Sequence, residues 1–545
     1  ISAQDPPPAE SAPAERRSAR PGAAAAMALR LLLSAASLCV APGPAASAKP
    51  TASLAPVPAP HCRVGVAGAG WGGVYTAWRL GIDAGPQRGG VDPRDICIFE
   101  AYDRPGGRTY GARVGGYLLD VGAYRFAGDM HLPADLITHA LKLPSVCYDP
   151  TCNDDDVRRE VIWPYAEPLK KIVDFSGRHA GYGAALEAML GQLRLAGAQL
   201  HFDTELVGVS RAAGAWRLRF RGGPSVEVAS LVLNVPRGVL ARLEGLPEAA
   251  ASRWPAVSCV DRSFPKGLAE GRGTVKVYAV YDDEAWWVSR LGLLRGTAEE
   301  MATDPPMSIH YHDGEVLCRA GTDPGGNELW RPARDVADRK VCRGVLQVFY
   351  RHSQLCPASN PGCMEYWARL PRANASDPLT VAHGDLAEAV HAKLMAMHAS
   401  SFRALNASSA DIRPPAAVAF AVWTRTAMLP RGDRGLQVSP EDVIFSGRLP
   451  ESCGAGTVQG YQDMVHGTGA WAGVAPGLHL VNNDFSASSS ALWHGPWAEA
   501  SLLGAEQVLR KAFQLAQPSW LNASYYAREV GGARPEASGA SEVLV

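Results

Sequence analysis

In "CRVGVAGAGWGGVYTAWRLGIDAG" an apolar stretch from Cys62 to Ala67 runs straight into Gly68-Ala69-Gly70-Trp71-Gly72-Gly73 and then into a helical pattern. Few chemistries need glycine at the first, third and sixth positions of a strand-to-helix turn. Gly68 permits the tight turn, Gly70 lets the backbone approach a pyrophosphate, and Gly73 lets helix pack on strand, with the helix N-terminus facing the phosphates. A second apolar strand, "DICIFEA", ends at Glu100-Ala101, where a carboxylate accepts hydrogen bonds from ribose hydroxyls. Glu100 lies further from Gly73 than the usual spacing, and "DAGPQRGGVDPRD" reads as a surface insertion between them. The pattern constrains the chain to an α/β fold that opens with a Rossmann-type dinucleotide-binding unit.

The chain has 545 residues, 47% hydrophobic and 20% charged, enough to bury a large core in two or more domains. A formal net charge of -1 offers no global attraction to nucleic acid or to an anionic membrane, so recognition must be local and the partner small. The His and Cys residues show no metal-ligand spacing. Residues 1–26, rich in Pro, Ala and Ser, read as disordered or untranslated leader. From Met27, "MALRLLLSAASLCVAPGPAASA" has a short basic start, an apolar run too short to span a bilayer, and small residues up to Ala48. This is a secretory signal over 27–48, followed by a Pro-rich linker over 49–61, and it predicts a secreted or secretory-pathway protein without stable membrane insertion. Asn374, Asn406 and Asn522 head glycosylation triplets. Of 11 cysteines, loss of Cys39 with the signal leaves an even number. Cys147/Cys152 and Cys356/Cys363 are candidate bridges, and Cys97, inside an apolar strand, reads as a buried thiol.

In "EAYDRPGGRTYGARVGGYLLDVGAYRF", Arg104, Gly106, Gly107 and Arg108 form a second pass suited to meet a pyrophosphate, with arginine's fork of donors. The ordered set Gly68 to Gly73, Glu100-Ala101, Arg104-x-Gly-Gly-Arg108 and Asp120-x-Gly122-Ala123 resembles the flavin-dependent amine oxidase family, over most of residues 62–515. The resemblance implies FAD as cofactor, a discontinuous Rossmann-type FAD-binding domain and a mixed-sheet α+β substrate-binding domain. It divides the chain into FAD-binding parts at 62–125, 181–240 and 441–515, a substrate or helical region at 126–180, a substrate-binding domain at 241–440 and a C-terminal tail at 516–545. It implies that Leu206 lies near the adenine, that Gly122, Ala123, Tyr124 and Arg125 line the flavin, and that Trp497, Ala498 and Glu499 open a helix toward its N1 and O2 edge. Asn483-Asp484 stand where the family usually has Gly-Glu.

Within this resemblance the substrate class turns on Arg125. A Gly-x-x-Arg at this place resembles L-amino-acid oxidases, in which a buried arginine clamps the substrate carboxylate and fixes Cα over the flavin. Tyr350, in the period-2 strand "CRGVLQVFYRHS", resembles the tyrosine that completes the clamp, and Lys276, followed by Trp286-Trp287, resembles the lysine that holds a water against the flavin. Trp423, Trp493 and Trp497 supply aromatic surface for the cavity or the core. The implied reaction takes an L-amino acid, water and dioxygen to a 2-oxo acid, ammonia and hydrogen peroxide, with dimerisation a family-level expectation. The alternatives are a monoamine or polyamine oxidase, in which Arg125 is structural, an amino-acid monooxygenase that shares the arginine, and a secreted defence or interaction protein.

Overall fold

The computed structural model describes residues 62–147, 169–240, 243–246, 274–352, 360, 362–371, 377–423, 476–481 and 498–531. In chain order the elements that matter here are β1 (Val64–Ala67), α1 (Trp71–Trp78), β2 (Ile96–Phe99), α2 (Ala184–Leu195), β3 (Gln199–His201), β4 (Ser230–Leu233), β5 (Thr274–Tyr281), β6 (Cys342–His352), β7 (Ala417–Trp423), β8 (Leu478–Leu480) and α3 (Ala498–Ala512). Two sheets organise them.

The first sheet is wholly parallel, in the order β8-β4-β1-β2-β3. Its strands come from widely separated stretches, so the Rossmann-type unit is discontinuous. Both faces are buried, as a parallel sheet requires. Val64, Val66, Ile96, Ile98 and Val232 pack against α1, α2 and α3. Their neighbours Ala67, Cys97, Phe99, Leu231 and Leu233 pack on the opposite face against a three-stranded meander that includes Trp216 and Leu218. Every residue of α1 is buried, which explains its apolar, small-residue sequence. Part of the stretch read as a C-terminal tail packs into the same core, through Leu521, Tyr525, Tyr526 and Val530.

The second sheet has eight strands, with β5 between β6 and β7, and its described pairings are all antiparallel, which refines the expectation of a mixed sheet. The alternation of β5 sorts its side chains. Val275, Val277, Ala279 and Tyr281 enter one core with the Trp286-Trp287 pair. Tyr278 and Val280 face the other way, toward Tyr117, Leu119 and Val121 of the first part of the chain. Lys276 shares that second face by period.

Cys97 corrects the sequence reading: it is disulfide-bonded to Cys62, with the two Cα atoms 5.7 Å apart. Cys62 lies two residues before Val64, the first residue of β1, which pairs with β2, and both cysteines enter the meander-side core. An apolar setting therefore hides a bridge rather than a thiol. Cys318 and Cys342 bridge directly opposed positions of an antiparallel pair. Cys147 and Cys363 are also disulfide-bonded, while Cys152 and Cys356 lie outside the described residues. Among the described residues, no helix is long and apolar enough to cross a membrane.

Candidate functional site

The glycine turn between β1 and α1 is as tight as its spelling suggests. Gly68 has φ +99°, which L side chains rarely adopt, and a Cβ there would overlap the carbonyl of Asn234. A Cβ on Gly72 would overlap the Val481 carbonyl, and one on Gly73 the Gly68 carbonyl. Glu100, buried at the end of β2, accepts hydrogen bonds from the Ala69 N–H at 2.7 Å and the Tyr102 N–H at 3.0 Å. It thus ties the second strand to the turn, and burial raises its pKa. Ala101 follows in a bend. Leu206 is buried two residues beyond Thr204, whose N–H donates to the Glu100 carbonyl at 2.8 Å.

The second glycine-rich pass lies directly on the first, because the Gly106 N–H donates to the Ala69 carbonyl at 2.8 Å. The indole of Trp71 donates to Thr109 Oγ1 at 2.9 Å and adds a second tie. Gly107 has φ +55° and nothing within 4 Å of where a side chain would begin. The Arg104 guanidinium stacks 3.7 Å from the centroid of the Tyr110 ring and donates to the Gly107 carbonyl at 3.1 Å. Arg108 continues into the next feature: the Ala123 N–H donates to its carbonyl at 3.0 Å, and a Cβ on Gly122 would overlap that same oxygen. These residues fit a dinucleotide, because the helix N-terminus behind Gly70 and the open backbone of Gly107 lie in two glycine-rich passes hydrogen-bonded to each other.

The Gly122 turn also carries the chemistry-bearing side chains. Lys276 Nζ donates to the Gly122 carbonyl at 2.6 Å and the Asp120 carbonyl at 3.0 Å, and sits 3.4 Å from the centroid of the Tyr124 ring. Arg125 approaches the same ring, its guanidinium carbon 4.7 Å from the centroid. Tyr350 stands edge-on to Tyr124 at 5.8 Å. Burial pulls the Lys276 ammonium down to about 7; Asp313 and Asp120 oppose the shift and Arg125 adds to it. Burial also raises the Tyr350 phenol. Asp120 is held by the His179 imidazole at 2.9 Å and by the Tyr182 N–H, so the strand end bearing the lysine's acceptor is fixed.

A β-bulge places Tyr350. Tyr278 pairs with Gln347 and Val277 with Phe349, so Val348 is the extra residue of β6. Val348 and Phe349 both enter the distal core, and Tyr350 returns to the Lys276 face, directly opposite the lysine. His310 lies beside it, ring centroids 6.1 Å apart, with burial lowering its pKa to about 4. Neither His310 nor Asn234, whose Nδ2 donates to the Gly68 carbonyl at 3.2 Å, was singled out from the sequence. Asn234 carried a readable signal: it directly follows a parallel strand beside the glycine turn.

Other residues have different places. Trp286 and Trp287 are wholly buried in the distal core and do not wall the site. Trp423 donates its indole N–H to the Val121 carbonyl at 2.6 Å, bracing the strand before Gly122. Ala498 opens α3 and is buried. The Glu499 side chain accepts from the Leu132 N–H at 2.9 Å and from the Tyr525 hydroxyl, and burial pushes its pKa up to about 8. Asn483, Asp484, Trp493 and Trp497 lie outside the described residues.

Residues 66–134 match the NAD(P)-binding Rossmann-like domain. The match covers the glycine turn, β2, the second pass and the Gly122–Arg125 turn. No curated protein sequence matches the chain. Among solved structures it is similar to a candidate protoporphyrinogen oxidase from Exiguobacterium sp. 255-15, at 12% identity and TM-score 0.45, covering 83% of this chain and 99% of that one. It is also similar to a redesigned triple mutant of putrescine oxidase, at 13% identity and TM-score 0.43, covering 82% of this chain and 97% of that one. Likeness at this level identifies neither substrate nor cofactor.

Proposed function

We propose that the protein is an FAD-dependent oxidoreductase that deaminates L-amino acids to 2-oxo acids. The observation that carries this reading is the convergence of Lys276 and Arg125 on the Tyr124 ring, at a turn hydrogen-bonded to the second glycine-rich pass. Two cations on one aromatic ring, beside a dinucleotide-binding turn, favour an anionic ligand next to the cofactor.

FAD, when bound, supplies the hydride acceptor and, through reoxidation by dioxygen, the route to hydrogen peroxide. Gly68, Gly70, Gly107 and Arg108 would hold its pyrophosphate and Glu100 its ribose. The chain's own residues do the rest. Arg125 pairs with the substrate carboxylate and Tyr350 donates its hydroxyl to it, which aims the Cα–H bond. Lys276, with a pKa near 7, stands between its two forms at neutral pH. It can orient the water that attacks the imino acid and take up or return a proton as ammonia leaves.

The cation–π contact of Arg125 with Tyr124 also favours a second reading, an amine oxidase in which Arg125 braces the turn and no carboxylate is bound. Substrate-driven reduction of the flavin by L-amino acids and by simple amines, in wild type and Arg125→Ala, separates the two. Only the first reading predicts reduction by amino acids that the mutation removes.

A secretory location is part of the same proposal. Disulfides at Cys62–Cys97 and Cys318–Cys342 suit an oxidising compartment, and Asn406 and Asn522 stand exposed. A mobility shift after glycosidase treatment of the secreted protein would be expected, and its absence would contradict the glycosylation.

A further inference from the structure

We infer that Asn234 is a positioning residue for the dinucleotide: its side chain holds the glycine turn in the shape that receives the pyrophosphate. The inference rests on the dinucleotide reading above and concerns a residue outside the glycine motif. Asn234 directly follows β4, the neighbour of β1 in the parallel sheet, and its own N–H donates to the Ala67 carbonyl at 2.8 Å, so its backbone continues the sheet ladder.

The side chain then turns under the loop. Nδ2 donates to the Gly68 carbonyl at 3.2 Å. The space beside three glycines is filled by the same amide. A Cβ on Gly70 would lie 2.9 Å from Asn234 Nδ2, one on Gly72 would lie 3.0 Å from Oδ1, and one on Gly73 would lie 3.1 Å from both Cβ and Nδ2. The glycines thus leave room on the chain's own side of the turn as well as on the ligand side. Asn234 occupies that room and holds the carbonyl side of the Gly68 peptide, whose φ of +99° is one that L side chains rarely adopt.

An amide suits this position for two reasons. It donates to a carbonyl, which a carboxylate at neutral pH cannot do, and it is uncharged, so it adds no repulsion to a pyrophosphate arriving at the same turn. Asn234→Asp is nearly isosteric but removes the donor and adds a negative charge. Asn234→Ala removes the donor and leaves a void.

The test is FAD titration, by quenching of flavin fluorescence, into the full-length protein freed of bound nucleotide, with the melting temperature of each nucleotide-free variant measured in parallel. Asn234→Ala is expected to weaken FAD about tenfold. Asn234→Asp is expected to weaken it about a hundredfold at about pH 8 and to recover part of the loss as the pH falls toward about 4, where a protonated carboxyl donates again. Melting temperatures of the nucleotide-free forms should stay close to wild type. Affinity within twofold of wild type for both variants would overturn the inference while leaving the dinucleotide reading intact. A melting temperature that falls in proportion to affinity, without pH recovery in the Asp variant, would assign Asn234 to the scaffold alone and also overturn it. If Asn234→Ala does not fold, the Asp variant and its pH dependence decide. Failure of the wild type to take up FAD would instead remove the dinucleotide reading itself.

Discussion

At Lys276 the cost of burial and the use of the residue coincide. The ammonium is almost fully enclosed and its pKa is drawn to about 7 from an ordinary 10.5. Between those values the unfolded chain holds a proton that the folded chain has released, so folding stability rises with pH across the window and carries the full penalty below it. The stability difference between Lys276→Met and wild type should therefore shift in favour of wild type as pH climbs from about 7 to about 10.5, in urea titrations; a flat difference would contradict a depressed pKa. The wild-type oxidation rate should titrate with a group near 7 that vanishes in the same variant. Glu499 shows the opposite sign. Its carboxyl, raised to about 8 from 4.5, keeps a proton that the unfolded chain has lost, so its contribution to stability falls as pH rises through that interval. Glu499→Gln, which still offers an oxygen to the Leu132 N–H, should lose that slope and gain on wild type as pH climbs from about 4.5 to about 8, with no further gain above it.

Among the elements, the glycine turn was the most legible part of the chain. Its requirements are local: a positive φ at Gly68 and carbonyls where a Cβ would sit at Gly72 and Gly73 leave only one residue type. Gly68→Ala should cost more than about 2 kcal/mol of stability and abolish FAD retention, read by thermal melts and by the flavin spectrum of the purified variant. The Lys276 strand was legible for a similar reason, since alternation in "TVKVYAVY" puts the lysine on the face of Tyr278 and Val280. The bulge at Val348 was not, because a register shift is set by the partner strand and leaves no mark in a run of β-formers. The place of the Trp286-Trp287 pair was not legible either. Two adjacent indoles announce burial, and only packing decides which cavity or core receives them. Cys97 shows the limit again: strand hydrophobicity fixes the face, and pairing depends on what the neighbouring strand brings to it.

Across the molecule, α1 and α3, from opposite ends of the described chain, are joined on the parallel sheet by charge as well as by apolar contact. Arg79, at the end of α1, and Tyr75 both donate to Glu506 of α3, at 2.6 and 2.7 Å, with Arg79 and Glu506 almost wholly buried. Arg79 also donates to the Ala516 carbonyl, and Trp520 to Asp83. Glu506→Ala would leave a buried guanidinium without its main counter-charge, and a loss of about 3–5 kcal/mol is expected by chemical denaturation. This clasp lets a parallel sheet assembled from distant stretches act as one platform, against which the antiparallel sheet presents Lys276 and Tyr350. No sequence interval predicts it, since Arg79 and Glu506 are far apart and each reads as a surface charge on a helix. In the proposed reaction this platform and the Gly122–Arg125 turn together take an amino acid by its carboxylate. Anaerobic addition of L-amino acids to the flavin-loaded protein tests it most directly, with simple amines and the Arg125→Ala variant alongside. Bleaching of the visible flavin band by L-amino acids is expected, with kcat/KM lowered about a hundredfold or more in the variant. Bleaching by amines alone, unchanged by the mutation, would contradict it.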